Sequence, residues 1–195
     1  MSIELHLGPM FASKSALLIR KEAEASDSRE TLAYSFTGDV IASRAIEQPL
    51  SCTYIKENNI LDIAFDALRI LTTGRPVSIF MDEIQFAPEG TEHVIAALQA
   101  IAIEHDLDIH MFGLDMDYTG KTFPMVQSAM ELSDIVHHHF SVCAVCQEPN
   151  ATMSQRLING EPAPHDGPLV ALDSAHGGEN EFTYEPRCHT CYETA

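Results

Sequence analysis

The sequence predicts an α/β fold with a parallel β-sheet, followed by a small metal-binding domain. Apolar β-prone segments alternate with segments of helical periodicity up to about residue 140, and this periodicity then disappears. Four of the five cysteines form two C-x-x-C pairs in the last part of the chain. Strands that alternate with helices are joined by right-handed crossovers, which make the sheet parallel. We therefore expect two domains, residues 1–140 and 141–195.

The first strand and helix are predicted at the start of the chain. Residues 3–7 alternate apolar with polar side chains and run into Gly8-Pro9, which indicates a strand that ends in a loop. Residues 15–25 are good helix formers, and residues 31–36 form a weaker second strand. The chain is thus expected to begin with strand, loop, helix and strand.

The middle of the chain continues this alternation. Apolar side chains at helical spacing predict a helix over residues 60–71, which Gly74-Arg75-Pro76 ends. The apolar run at residues 77–81 is typical of a strand buried on both faces. Residues 91–103 predict a further amphipathic helix, and residues 109–114 a further strand.

Composition narrows the classes of function. The 195 residues are 45% hydrophobic, enough for a substantial core, and 29 acidic side chains against 11 Lys and Arg give a net charge of -18. This field repels nucleic acid and anionic membranes, so neither is an expected partner, and any phosphate site must depend on local donors. The chain shows no signal peptide and no apolar run near the roughly 18 residues of a membrane span, which predicts a cytosolic protein.

One segment matches the phosphate-binding pattern G-x-x-x-x-G-K-[ST] except at one position. It reads Gly8-Pro9-Met10-Phe11-Ala12-Ser13-Lys14-Ser15, between the first strand and the first helix. In such a loop backbone N–H groups bind phosphates, Lys14 would neutralise their oxygens and Ser15 would hold Mg²⁺. Ser13 replaces the second glycine, at a cost on the order of 1–2 kcal/mol if φ is positive there and little if the position is right-handed helical. The alternative is an ordinary strand-to-helix turn that contains Lys-Ser.

Two carboxylates follow the buried strand at residues 77–81. Asp82 stands where P-loop enzymes place a magnesium-binding aspartate, at the sheet edge where ligands bind. Glu83, pointing the other way across the strand, could act as general base on an acceptor hydroxyl. The alternative is a pair of solvated acids that cap a strand.

The pairs Cys143-x-x-Cys146 and Cys188-x-x-Cys191 together supply the four thiolates of a closed zinc site. A closed site leaves no position for water, so we expect a structural zinc ion that pins the base of the long intervening loop. Cys52 is expected to be a buried apolar thiol. Four histidines beside the pairs could bind metal, although solvated strand or helix ends explain them better; these are His137, His138, His139 and His189.

The motifs in this order resemble the cellular thymidine kinases of vertebrate cytosol, many bacteria and phages. The resemblance extends from Ile3 to Tyr192. Its motifs are G-x-M-x-x-x-K-S at 8–15, D-E-x-Q-F at 82–86, G-L-D-x-D-Y-x-G at 113–120 followed by Phe123, the first C-x-x-C, A-T-x-S-Q-R at 151–156, N-G-x-P-A at 159–163 and Y-E-P-R-C-x-x-C at 184–191. The resemblance implies a P-loop NTPase-like core, a small C-terminal zinc-ribbon domain with a lasso loop, and a cytoplasmic homotetramer that serves nucleotide salvage for DNA synthesis.

The resemblance also implies an activity, the ATP- and Mg²⁺-dependent phosphorylation of the 5′-hydroxyl of thymidine and usually of deoxyuridine. Glu83 would be the general base. The ATP and magnesium site would comprise Gly8, Pro9, Met10, Phe11, Ala12, Ser13, Lys14, Ser15, Arg44, Asp82 and Gln85. Leu114, Tyr118 and Phe123 would enclose the base, and the lasso would add Tyr184 and backbone groups near Val170 to Ser174.

Three departures from the family pattern keep alternatives open. They are Ser13, the shorter segment 39–52, in which the family glycine is either replaced by Ile46 or displaced, and a lasso with extra residues that include Gly177-Gly178. A catalytically degenerate, thymidine-kinase-like protein that binds nucleosides or nucleotides is the main alternative. A zinc-ribbon protein that binds nucleic acid is disfavoured by the net charge of -18 and by the lack of a basic patch around the cysteine pairs.

Overall fold

The computed structural model describes residues 2–167 and 182–194. They form two compact units. The first comprises the chain up to Leu7, Ser13–Gly113 and Pro124–His137, and the second comprises Gly8–Ala12, Leu114–Phe123 and the chain from His138 onward. Val170 and Ser174, which were expected near the pyrimidine, lie outside the described residues.

A six-stranded sheet is the framework of the first unit. The strands among the described residues are β1 (Ile3–Leu7), β2 (Glu30–Ser35), β3 (Val40–Ser43), β4 (Ile46–Ser51), β5 (Thr53–Tyr54), β6 (Val77–Asp82), β7 (Leu107–Gly113), β8 (Ile135–His138), β9 (Met153–Ile158), β10 (Glu161–Pro162) and β11 (Phe182–Arg187). The sheet has the order β5-β2-β6-β7-β1-β8, and β1–β7, β6–β7, β2–β6 and β2–β5 all pair in parallel. The predicted α/β core with a parallel sheet is therefore confirmed.

In the part of the chain that the structure describes, four α-helices accompany this sheet: α1 (Lys14–Ser26), α2 (Asp62–Leu71), α3 (Thr91–Ala102) and α4 (Pro124–Leu132). Helix α1 contacts β2, β6 and β7, and its Leu18 is fully buried in a cluster with Ile41, Phe80 and Phe112. Helix α2 contacts β2 and β6, helix α3 contacts β7, and helix α4 contacts β1. Every residue of β6 is buried, which confirms the expectation from its apolar run.

The helices and strands predicted from periodicity begin and end within three residues of the observed ones. Segment 39–52 had no assignment, and it forms the antiparallel β3–β4 hairpin. Helix α4 and strand β8 were also missed. These elements are short, so each is stabilised mainly by the surfaces on which it packs rather than by its own pattern.

The second unit contains a three-stranded antiparallel sheet of order β10-β9-β11. Ile158 pairs with Glu161, so Asn159-Gly160 is a two-residue turn, and both residues have positive φ, 52° and 87°. That conformation is the type I′ hairpin turn for which Asn-Gly is favoured. The predicted loss of helical periodicity after residue 140 agrees with this sheet. None of the helices in residues 2–167 and 182–194 is long and apolar enough to cross a membrane.

Candidate active site

The loop after β1 contains two residues in the left-handed region. Phe11 has φ 66°, and Ser13 has φ 58° and ψ 25°. The sequence left open whether residue 13 has positive φ, and the structure shows that it does. Gly8 has a different constraint: a Cβ there would lie 2.4 Å from the carbonyl oxygen of His139. Where left-handed residues interrupt a right-handed backbone, successive N–H groups point toward one side. This arrangement favours the binding of an anion.

Lys14 and Ser15 are the first two residues of α1. The Ser15 hydroxyl donates a hydrogen bond to Oδ2 of Asp82, at 3.4 Å. Asp82 is the last residue of β6, which lies two strands away from β1 in the sheet. The parallel sheet therefore joins residues that are 67 positions apart in sequence.

Asp82 is 7% exposed, and burial raises the pKa of its carboxyl to about 7. The charge of Glu83 raises the pKa further, while a backbone hydrogen bond from Glu83, the charge of Lys14 and the Ser15 hydroxyl partly oppose the rise. A buried carboxylate with an elevated pKa binds a cation in exchange for a proton. A cation beside such a carboxyl lowers its pKa and favours its charged form.

Glu83 lies just beyond the strand, with φ 59° and ψ 44°. Its left-handed conformation begins the short 3₁₀ helix Ile84–Phe86, so strand alternation does not set the direction of its side chain. The Gln85 side-chain amide donates to Oε2 of Glu83 and holds that carboxylate. Gly113 leaves room for this turn, because a Cβ there would lie 2.6 Å from Oε1 of Gln85 and 2.7 Å from Cγ2 of Ile84.

Arg44 lies exposed in the turn between β3 and β4. The hydroxyl of Ser43 accepts a hydrogen bond from the backbone N–H of Ala45, at 3.2 Å, and shapes this turn. The tip of a two-stranded hairpin thus carries the arginine that the resemblance assigned to the ATP site.

A buried arginine links two aromatic residues of the second unit. The guanidinium of Arg156 lies 3.6 Å from the ring centroid of Tyr118 and 5.3 Å from that of Tyr184. Nε of Arg156 also donates to the Tyr184 hydroxyl, at 2.8 Å. Arg156 is 1% exposed, and a charge buried to this degree needs such cation–π and hydrogen-bonding partners. Arg156 ends the A-T-x-S-Q-R motif, for which the sequence predicted no role.

Tyr118 is fixed at both ends. Its hydroxyl donates to the carbonyl oxygens of Gly167 and Pro164, at 3.0 and 3.2 Å. The hydroxyl of Tyr192 donates to the backbone oxygen of Tyr118 and lies 3.1 Å from Nε2 of His165. These contacts connect the loop before α4, the residues that follow β10 and the C-terminal segment within the second unit.

The remaining residues expected to enclose the base lie on the same loop as Tyr118. Leu114 directly follows β7 and is half-buried, and Phe123 directly precedes α4 and is buried. The structure therefore brings together Tyr118, Arg156 and Tyr184, with Leu114 and Phe123 at the two ends of one short segment.

The four cysteines of the C-x-x-C pairs lie together, with their sulfur atoms all within 4.8 Å of one another. A tetrahedral zinc ion about 2.3 Å from each sulfur would separate the sulfurs by about 3.8 Å. The Sγ atoms of Cys146 and Cys188 are 3.8 Å apart. Cys143 and Cys188 are buried against Ala151, and the clustering of the four sulfur atoms is consistent with a zinc ribbon. Cys52 is only partly buried, and burial raises the pKa of its thiol to about 11.

The family model for thymidine kinase matches residues 1–192. The chain belongs to the thymidine kinase family. A thymidine kinase of Thermococcus kodakarensis is 29% identical over 199 aligned positions, which cover 95% of this chain and 91% of the relative. Thymidine kinases of Roseiflexus castenholzii and Roseiflexus sp. strain RS-1 are each 30% identical over 197 positions, covering 99% of this chain and 95% of the relative.

Membership of the thymidine kinase family confirms the resemblance found in the sequence and makes the chain an ATP-dependent kinase by family. The sequence signal for Arg156 was present, since this residue ends the A-T-x-S-Q-R motif. Its contact with Tyr118 could not be inferred, because a distance of 38 residues along the chain is bridged only in the folded second unit.

Proposed function

We propose that this chain transfers the γ-phosphate of ATP to the 5′-hydroxyl of thymidine, with deoxyuridine as a further substrate. The observation that carries the proposal is the 3.4 Å contact between Ser15 and Asp82, because it joins the phosphate loop to the carboxylate at the end of β6. A strand-to-helix turn with an unrelated pair of solvated acids would not require this contact.

For the donor, backbone N–H groups of residues 8–15 and the ammonium of Lys14 would hold the phosphates. The hydroxyl of Ser15 and the carboxylate of Asp82 are the hard oxygen ligands that Mg²⁺ prefers, so both fit a magnesium site. When bound, Mg²⁺ supplies positive charge to the transferring phosphoryl group. Arg44, on its hairpin tip, and Gln85 complete the proposed donor site.

For the acceptor, the Glu83 carboxylate would take the proton of the 5′-hydroxyl as the oxygen attacks phosphorus. Its hydrogen bond from Gln85 orients it, and that partner is itself buried. Phosphoryl transfer depends mostly on the positions of the reacting groups and on charge neutralisation. An oriented general base is expected to raise the rate of the chemical step by about 10²–10⁴-fold.

The nucleoside would be held by residues of the second unit. Tyr118 and Tyr184 offer rings that Arg156 holds in place, and an aromatic face suits a pyrimidine. The full proposed set is Leu114, Tyr118, Phe123, Val170, Ser174 and Tyr184.

Three further properties belong to the same proposal. Zinc at the four cysteines would be structural, and the protein would act in the cytoplasm in nucleotide salvage. A homotetramer is also proposed. Exposed apolar side chains at helical spacing along α2, namely Leu61, Phe65 and Leu68, support self-association, and light scattering of the purified protein tests it.

The activity is tested with the purified full chain, ATP, Mg²⁺ and thymidine, by measuring thymidine monophosphate formation. Glu83→Gln is expected to lower kcat by about 10²–10⁴ because the base is lost. Glu89→Gln is the matched control, since Glu89 is a nearby exposed acid, and its kcat should equal that of the parent.

The same assay distinguishes an active kinase from the alternative, a catalytically degenerate protein that only binds nucleosides or nucleotides. A parent protein that binds thymidine and ATP but forms no product, and that gains turnover on Ser13→Gly, would be a kinase-like binding protein. Equal kcat for Glu83→Gln and the parent would remove Glu83 from the chemistry.

A further inference from the structure

A cluster of titratable side chains, none of which belongs to the proposed substrate sites, lies in the first unit. Glu4 and His6 are two residues apart on β1 and so lie on the same face of the sheet. His110 of β7 is the register partner of Glu4, and His137 comes from β8, the neighbour of β1 on the other side. Lys21 of α1 reaches the same group.

All four basic side chains surround one oxygen atom, Oε2 of Glu4. Nε2 of His6 lies 3.4 Å from it and Nε2 of His137 lies 3.7 Å from it. Nδ1 of His110 is 3.5 Å away, and Nζ of Lys21 is 3.0 Å away. His6 is 2% exposed, and an imidazole buried to this degree is uncommon unless it serves a specific interaction.

We propose that Glu4, His6 and His137 bind one divalent transition-metal ion of the zinc type, at a second site distinct from the four cysteines. Their ligand atoms all lie within 4.8 Å of one another. An ion about 2.1 Å from each ligand in tetrahedral geometry separates ligand atoms by about 3.4 Å, which compares with 3.4 and 3.7 Å here. Two imidazoles and one carboxylate form a donor set found in open zinc sites, with water as the fourth ligand.

Binding requires one ring to turn. The rings of His6 and His137 are stacked with centroids 4.5 Å apart and planes 8° apart. Imidazole lone pairs lie in the ring plane, so two stacked parallel rings cannot both aim at one ion. His6 is held by a second stack, on Phe112 at 4.5 Å, and is 2% exposed. The side chain of His137 is 43% exposed, so His137 rotates and the stack opens when the ion enters.

Lys21 competes with the ion for Glu4. Its ammonium donates to Oε2 at 3.0 Å, and its side chain, on α1 and 28% exposed, can withdraw toward solvent. The net charge of -18 favours uptake of a cation overall. His110 stays near the same carboxylate oxygen and orients it as a neighbouring group outside the ligand set.

The test is a calorimetric titration of the zinc-loaded full chain with Zn²⁺ at neutral pH, with metal content measured separately. One equivalent beyond the zinc already held at the cysteines is expected, which makes two equivalents per chain in total. His137→Ala should weaken the second equivalent by tenfold or more, since loss of even an outer-shell partner costs about 10–100-fold. Lys21→Met should strengthen it, because the competing ammonium is gone. His138→Ala is the matched control, an exposed histidine on the same strand, and should leave both equivalents unchanged.

Titration with Co²⁺ separates the two sites, because cobalt bound to thiolates shows sulfur-to-metal charge-transfer absorption and cobalt bound to nitrogen and oxygen does not. A total of one equivalent in the parent, counting the metal at the cysteines, would overturn the proposal. A second equivalent that neither His137→Ala nor Lys21→Met alters would also overturn it, since the ion would then lie elsewhere. Both readouts are independent of kinase activity, so neither outcome bears on the proposed function.

Discussion

Ser13 carries strain that a single substitution should relieve. Its φ of 58° and ψ of 25° lie in the left-handed region, where a Cβ approaches the following carbonyl oxygen. The residue is exposed, and its side chain makes no capping hydrogen bond to α1. Ser13→Gly therefore removes the strain without removing packing or a helix cap.

The expected gain follows from two opposing contributions. The left-handed conformation costs a residue with a Cβ about 1–2 kcal/mol. Glycine offsets part of this, because its unfolded chain is more flexible by about 0.5–1 kcal/mol. Ser13→Gly should thus raise the free energy of unfolding by about 1 kcal/mol, which for a chain of this size is a rise in Tm of about 2–4 °C.

Thermal unfolding followed by circular dichroism measures the shift, with zinc held constant and without nucleotide. Ser13→Ala is the matched control, because it keeps the Cβ and removes only the hydroxyl. Its Tm should stay at or slightly below that of the parent. If Ser13→Ala and Ser13→Gly stabilise equally, or if neither does, the strain at residue 13 is not what the backbone angles indicate.

The remaining predictions concern pH, the buried arginine and zinc. The carboxyl of Asp82 has a pKa of about 7 in the folded chain against an ordinary value of 3.8, so the folded state binds the extra proton between these values. Without Mg²⁺, the free energy of unfolding of the parent should fall as pH rises from about 4 to 7 and then level off. Asp82→Asn should make this profile flatter, which a comparison of Tm at pH 5 and pH 8 measures. Arg156→Lys should raise KM for thymidine more than it lowers kcat, since a lysine cannot hold both tyrosines as the planar guanidinium does; an unchanged KM would contradict its positioning role. Removal of zinc by a chelator, or Cys188→Ala, should expose β9–β11 to limited proteolysis, and added zinc should restore protection only to the parent.

Local patterns in the sequence were sufficient for the core elements and the motifs. The apolar run of β6 and the helical spacing of α2 and α3 reflect burial against a sheet. Such burial produces a regular spacing of apolar residues along the sequence. The two C-x-x-C pairs likewise carry their chemistry in their spacing, and their clustering agrees with it. The β3–β4 hairpin left no such trace, because its strands are largely exposed.

The sequence by itself determined the family, the α/β class and the grouping of the four C-x-x-C cysteines, since each depends on short patterns along the chain. Only the tertiary structure decided the sign of φ at Ser13, the place of Arg156 between two tyrosines and the meeting of three histidines at Glu4. Strand order and register make those contacts between residues distant in sequence. The pairing of Glu4 with His110 depends on the whole sheet, and no local pattern encodes it.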